Sequence, residues 1–99
     1  MYRVVFLEEA LAEIQSASIW YAEQQMGLDE RFARNISDAI EKLRSDTITY
    51  KPIYRKLNRI LVKRFPYAIY FKKDMENRQI TILGVLHSRQ HRSQLLKRI

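Results

Sequence analysis

Two strand-like stretches of the sequence carry residues that could act on a phosphodiester. Arg59 and Lys63 belong to "RILVKRF", and His87 and Arg89 stand near the close of "QITILGVLHSRQHR". Cleavage of RNA without a metal needs a base for the 2′-hydroxyl, cations for the pentavalent phosphate and an acid for the leaving oxygen. Strand alternation puts Arg59 and Lys63 on one face of the sheet, and His87 and Arg89 on one side of their own strand. If the registers match, the four residues form a cationic cluster with one titratable imidazole.

The chemistry of this cluster stays open between catalysis and charge alone. A histidine at the end of a strand more often bonds a backbone group than it catalyses. The alternative is therefore a surface that binds through permanent positive charge.

No metal or cofactor site is predicted. His87 and His91 are four residues apart, a spacing that brings two imidazoles to one metal ion only on a helix, and no third ligand accompanies them. The chain has no cysteine, which excludes disulfides and thiolate metal sites and is typical of a reducing cytosol.

Nothing in the sequence predicts export or membrane insertion. The stretch "MYRVVFLEEALAEI" meets acid at Glu8 and Glu9 before its apolar run is long enough for a signal peptide. No later run approaches the length of a membrane span. We therefore expect a cytoplasmic protein without a membrane partner.

Charge is divided unevenly along the 99 residues, whose net charge is +7. Residues 1–50 hold 5 Lys and Arg against 9 Asp and Glu, whereas residues 51–99 hold 13 against 2. This division favours two partner surfaces, one of them for a polyanion or an acidic protein. A basic nucleic-acid-binding module is one candidate, although no recognition helix with polar base-contacting residues is evident.

Hydrophobic periodicity predicts the elements that must position these residues. "YRVVF" at 2–6 indicates a strand, and from Leu7 the apolar residues recur at steps of three and four, as in a helix that turns Glu13 outward. Gly27 is expected to end this helix, and Asp29 to cap a second one. The two apolar stripes predict an antiparallel helical hairpin packed on a sheet. They consist of Leu7, Ala10, Leu11, Ile14, Ala17, Ser18 and Tyr21, and of Phe32, Ile36, Ala39, Ile40 and Leu43.

The sheet is predicted from three later stretches. "RILVKRF", "YAIYFKK" and "QITILGVL" indicate antiparallel strands, with "DMEN" as a turn and "SQLLKRI" as a short C-terminal helix or tail. Because proline cannot donate to a strand ladder, Pro66 is expected in the connection between the first two. The predicted fold class is α+β, β-α-α-β-β-β, with a helical hairpin packed on a small antiparallel sheet. Residues 1–99 are expected to form one domain.

This order, together with "WYAEQQMG", "RILVKRFPYAIYF" and "ILGVLHSRQHR", resembles the RelE/ParE superfamily of toxins from type II toxin–antitoxin modules. It is most similar to the ParE, or plasmid-stabilisation, branch, and the likeness covers nearly the whole chain. The most specific part of this likeness is the joint occurrence of three features. They are Arg59 at the start of the second strand, a Phe-Pro-Tyr connection at 65–67, and a last strand that ends in Val-x-His-x-Arg at 85–89.

The resemblance implies two activities on one fold. RelE-like members cleave mRNA in the ribosome, whereas ParE-like members inhibit DNA gyrase without cleaving anything, and a cognate antitoxin neutralises both. The carboxylate or tyrosine that RelE-like nucleases often add near the site has no counterpart here, so the ParE-like activity is the leading hypothesis. In that hypothesis no residue is catalytic and the target is bound by Arg59, His87, Arg89 and Arg92. In the RelE-like alternative the catalytic residues are Arg59, Lys63, His87 and Arg89.

Ile19 and Trp20 are the predicted contact with the antitoxin, in a toxin–antitoxin hetero-oligomer. The stripe that buries Tyr21 leaves Ile19 near the acidic face of the helix and Trp20 on its flank. Large exposed apolar side chains suggest a partner surface. The C-terminal segment or a second copy of the chain is an equal alternative.

Overall fold

The computed structural model describes residues 1–45 and 52–99. Two helices follow the first strand, three further strands follow the helices, and a short 3-10 helix closes the chain. The predicted β-α-α-β-β-β order is confirmed. In chain order the elements are β1 (Arg3–Phe6), α1 (Glu8–Gln24), α2 (Leu28–Ser45), β2 (Asn58–Leu61), β3 (Tyr67–Asp74), β4 (Gln79–His87) and η1 (Arg92–Leu95).

The four strands form one sheet in the order β1-β4-β3-β2. β2, β3 and β4 are antiparallel neighbours, as predicted, while β1 pairs parallel to β4 from Arg3 opposite Gln79 to Phe6 opposite Ile82. The sheet is therefore mixed. A parallel pair needs a long crossover, and the helical hairpin supplies part of that crossing between β1 and the opposite edge.

The second helix follows its predicted stripe more closely than the first. Every stripe residue of α2, from Phe32 to Leu43, is buried. In α1 the stripe buries Ala10, Ala17 and Tyr21, but Leu11 is half exposed, so the stripe is narrower than predicted.

The turn between the helices depends on Gly27, which has a φ of +85° that glycine adopts without a steric penalty. The Gly27 carbonyl accepts the Arg31 amide at 3.2 Å and so begins the hydrogen bonding of α2. Asp29 lies inside the first turn of α2, which makes the prediction of Asp29 as the cap wrong. Its carboxylate still faces the positive end of the helix dipole.

Both faces of the sheet are covered. The helices pack on one face, where Ile69, Phe71 and Ile82 join the main hydrophobic core. On the other face a smaller core is closed by η1 and by the segment that precedes β2. This second core consists of Leu57, Ala68, Tyr70, Leu83, Leu86 and Leu95.

Pro66 lies in the connection between β2 and β3, as predicted. β2 ends at Leu61, β3 begins at Tyr67, and the Val62 amide donates to the Tyr67 carbonyl at 2.9 Å. Pro66 is exposed, and its missing N–H removes no ladder bond because it stands outside both strands.

Gly84 allows three side chains to approach the centre of β4. The β3–β4 register shifts next to it, between Tyr70 and Phe71. A Cβ on Gly84 would lie 2.6 Å from Leu95 Cδ2, 2.9 Å from Arg98 Nη1 and 3.2 Å from Glu13 Oε1. Real Cβ atoms essentially never show the first two distances, so a side chain here must displace the ends of the Leu95 and Arg98 side chains.

We expect Gly84→Ala to lower the free energy of unfolding by roughly 1–3 kcal/mol, the usual cost of overpacking a core, as measured by chemical denaturation. In a Leu95→Ala background the closest clashing group is absent. The same substitution should then cost clearly less, because the two sites are in contact. Equal costs in both backgrounds would contradict this account of Gly84.

Candidate functional site

The β2–β3 connection and the loop after β4 meet at one end of the sheet. Tyr67 is paired with His87, and the Ser88 amide donates to the Pro66 carbonyl at 2.8 Å. The loop is itself tight, since the Gln90 amide donates to the His87 carbonyl at 2.9 Å. Basic residues of both segments therefore share this end, which we call the cationic end: Lys63, Arg64, His87, Arg89 and Arg92.

An aromatic cluster fixes this end to the helices. Phe65 contacts the rings of Tyr21 and Phe32 at centroid distances of 5.0 and 5.2 Å, and Tyr67 contacts Phe32 at 5.2 Å. The rings meet edge to face, the arrangement that aromatic pairs favour. The cluster joins α1, α2, the β2–β3 connection and β3.

His87 is held by three contacts. Its ring lies edge-on to Tyr67 at 5.2 Å, its Nδ1 accepts the Arg89 amide at 3.0 Å, and its own amide donates to Gln90 Oε1 at 2.8 Å. Because Nδ1 is occupied as an acceptor, a neutral ring carries its proton on Nε2. The nitrogen left for a ligand is then a donor, not a base.

The other candidate acids and bases at this end are weak ones. Burial raises the pKa of Tyr67, and burial followed by the charge of Tyr67 raises the pKa of Tyr21. Both phenols therefore stay protonated at neutral pH. Proton transfer at the cationic end would depend on His87 and on His91, whose Nδ1 likewise accepts a backbone amide, that of Ser93 at 3.1 Å.

The structure does not bring Arg59 together with His87. Arg59 is opposite Tyr70, whose side chain belongs to the second core, whereas His87 is opposite Tyr67, which packs on the helix side. Directly opposite residues of paired strands share a face, so Arg59 and His87 lie on opposite faces of the sheet. The prediction that they form one cluster is wrong.

Lys63 is at the cationic end, but not by strand alternation. β2 ends two residues earlier, at Leu61, and Lys63 lies in the connecting turn. Arg89 likewise lies beyond β4, and Arg92 opens η1. Within the described ranges, the ion pairs join Arg44 to Glu41 and Arg98 to Glu13, so the guanidinium and ammonium groups of the cationic end have no carboxylate partner there.

A cavity of about 420 Å³ lies between α1 and the end of β4, and Trp20 lines it. Trp20 is 55% exposed and Ile19 is 56% exposed, as predicted. Because successive residues of a helix point about 100° apart, Ile19 and Trp20 face different directions. Of the two, Trp20 lines the cavity and Ile19 does not. The lining consists of Ala12, Glu13, Ser16, Ala17, Trp20, Tyr67, Val85 and Gln90.

Beside this cavity, backbone groups at the edge of β4 form hydrogen bonds with side chains and not with a neighbouring strand. β1 reaches only as far as Ile82, and beyond it Glu13 Oε1 accepts the Val85 amide at 2.9 Å while Arg98 Nη1 donates to the Leu83 carbonyl at 3.1 Å. Arg98 also donates to Glu13 Oε2 at 3.0 Å.

The prediction that Glu13 turns to solvent is therefore wrong. Glu13 and Arg98 were missed because no local pattern reveals a strand edge that only the tertiary fold leaves open. The helical position of Glu13, on the same flank as Trp20, is the one sequence signal for it.

Residues 4–92 match the family model described as "ParE toxin of type II toxin-antitoxin system, parDE". The chain belongs to the ParE toxin family. It is therefore the toxin component of a type II toxin–antitoxin system.

Solved structures agree with this ParE-family fold. A chain of the chromosomal ParDE system from P. aeruginosa is 15% identical, with a TM-score of 0.70 over 88% of this chain and 96% of that chain. The isolated E. coli RelE toxin is 19% identical, with a TM-score of 0.58 over 99% of this chain and 98% of that one. No curated protein matches the sequence.

Two further properties of the ParE-family chain bear on its chemistry. In residues 1–45 and 52–99, no three His, Asp or Glu side chains are grouped so that they could hold a metal ion. Neither helix of those ranges combines the length and the apolar character needed to cross a membrane.

Proposed function

We propose that this toxin inhibits DNA gyrase by binding it through the cationic end, without proton-transfer chemistry. The observation that carries the proposal is the state of His87, whose Nδ1 is occupied by the Arg89 amide. Around it are permanent cations without carboxylate partners in the described chain, and phenols whose raised pKa values keep them protonated. Such a site is rich in charge and poor in acid–base pairs.

The alternative is ribosome-dependent mRNA cleavage, as in RelE-like toxins. That reaction needs a base and an acid on opposite sides of the scissile phosphate. The separation of Arg59 from His87 by the sheet removes one of the four residues proposed for it. Gyrase inhibition needs only a surface of suitable shape and charge, which favours it.

We further propose that a cognate antitoxin binds over Trp20 and forms a hetero-oligomer with the toxin. Trp20 offers a half-exposed apolar ring at the mouth of a cavity, the kind of anchor that dominates protein interfaces. In the part of the chain that the structure describes, the side chains of Glu13 and Arg98 bond to the edge of β4 beside it, and an extended segment could take their place. The P. aeruginosa neighbour belongs to a ParDE system, which supports a partner of this kind. Both proposed partners place the action of the toxin in the cytoplasm.

Charge, rather than titration, should control toxicity. His87→Asn keeps an acceptor near the position of Nδ1 but removes the imidazole, and it should retain most growth arrest on induction. Arg89→Glu should raise the toxin concentration for half-inhibition of gyrase supercoiling by roughly tenfold or more, since a hydrogen bond from a charged group contributes about 1.5–3 kcal/mol. The measurements are growth, supercoiling by purified gyrase, and the integrity of translated mRNA.

Arg59→Glu is the matched control for that comparison. It makes the same change of charge on the opposite face of the sheet and should leave inhibition near the native level. A nuclease that relies on His87 would lose on the order of 10²-fold in rate in His87→Asn. Codon-phased mRNA cuts with normal supercoiling would rule out the gyrase proposal.

Trp20→Ala should weaken antitoxin binding by about 2–4 kcal/mol, the range for a buried aromatic anchor, as measured by calorimetric titration. Met75→Ala is the control, because Met75 is also an exposed apolar residue but lies in the β3–β4 turn at the far end of the sheet. An unchanged dissociation constant for Trp20→Ala would remove Trp20 from the interface.

A further inference from the structure

A second cavity, of about 560 Å³, lies between the start of α2 and the β2–β3 connection. It borders a different ring of the aromatic cluster from the Trp20 cavity, since Phe65 lines the one and Tyr67 the other. Its volume is within the range of small-molecule sites. The lining residues are Leu28, Arg31, Arg34, Asn35, Arg64 and Phe65.

Three arginines surround this cavity. Arg31 and Arg34 are three residues apart on α2 and so share a face of the helix. Arg64 comes from the connecting turn, where it has a φ of +68°, a conformation that residues other than glycine rarely adopt. In the part of the chain that the structure describes, none of the three guanidinium groups makes an ion pair.

The rest of the lining suits an anion with several oxygens. Among the described residues, none that lines the cavity carries a carboxylate, and Asn35 adds an amide donor. Phe65 is fixed against Phe32, so the floor does not depend on a ligand for its position. Guanidinium groups donate two parallel hydrogen bonds to phosphate oxygens, and three of them around one opening match a phosphate better than a single planar carboxylate.

We propose that this cavity binds a phosphate group, either of a nucleotide or of a nucleic-acid strand. The inference does not need gyrase as the target of the toxin, because it rests on residues outside the cationic end apart from Arg64. A strand could nevertheless continue from the cavity over Lys63 to Arg89, since the Ser88 amide joins the two loops at Pro66. An oligonucleotide should then bind more tightly than pyrophosphate.

The test uses the purified full chain, a fluorescein-labelled 12-nucleotide single strand of DNA, and pyrophosphate. Arg31→Gln and Arg34→Gln should each raise the dissociation constants of both probes about tenfold, and each should reduce the salt slope of oligonucleotide binding by about one. Lys42→Gln is the matched control. It removes one charge from the same helix two turns away, outside the lining, and should change neither constant by more than about twofold.

The two probes distinguish the sources of the phosphate. One outcome is that the native toxin binds pyrophosphate and the oligonucleotide with similar affinity and that the Arg variants lose affinity equally for both. That outcome assigns the site to a nucleotide-sized ligand. The other outcome is that the native toxin binds the oligonucleotide more tightly than pyrophosphate and that the Arg variants reduce this preference. That outcome assigns the site to a nucleic-acid strand. Unchanged binding of both probes in both variants overturns the proposal. Polyglutamate, titrated in parallel, serves as an acidic peptide. A loss of binding seen only with polyglutamate also overturns the proposal, because it would assign the cavity to an acidic protein segment.

Discussion

The positions of the candidate residues depend on the aromatic cluster of Tyr21, Phe32, Phe65 and Tyr67. Edge-to-face contacts of about 5 Å tie the hairpin of helices to the β2–β3 connection. Both cavities border this cluster, and His87 packs on its last ring. A chain of 99 residues has little core to spare, so four rings at one end are a large share of what orders that end.

Local periodicity predicted the elements well where one face is strictly apolar. The α2 stripe is fully buried because every apolar residue in it falls on one side of the helix. Pro66 was placed correctly because its constraint is chemical and local. Strand alternation did not predict the position of Lys63 correctly. β2 ends two residues before Lys63, and side chains in a turn do not alternate between two faces.

Contacts between distant segments were not predictable in the same way. Arg59 and His87 are 28 positions apart, and only the register of β2, β3 and β4 shows that they lie on opposite faces. Glu13 and Arg98 meet across nearly the whole chain, at an edge that exists because β1 is short. In the sequence, Arg31 and Arg34 look like ordinary residues of a solvated helix face. What sets them apart is their position beside Arg64, which belongs to another element and comes close only in the folded chain.

The tertiary fold also redraws the division of charge. The sequence suggested an acidic first half and a basic second half, but Arg31 and Arg34 bring cations of the first half beside the β2–β3 connection. In the opposite direction, Arg98 of the basic half is neutralised by Glu13. Within the described ranges, the cationic surface at the end of the sheet and the apolar surface at Trp20 are distinct, which fits a separate partner for each.

Hydrogen exchange of the toxin, alone and with purified gyrase, tests the central claim most directly. If the cationic end is the contact, amides of residues 62–65 and 88–92 should exchange at least several-fold more slowly in the complex, because burial limits their opening. Amides around Trp20 should be unaffected. Protection confined to the Trp20 face, or no protection with gyrase at saturating concentration, would contradict the account.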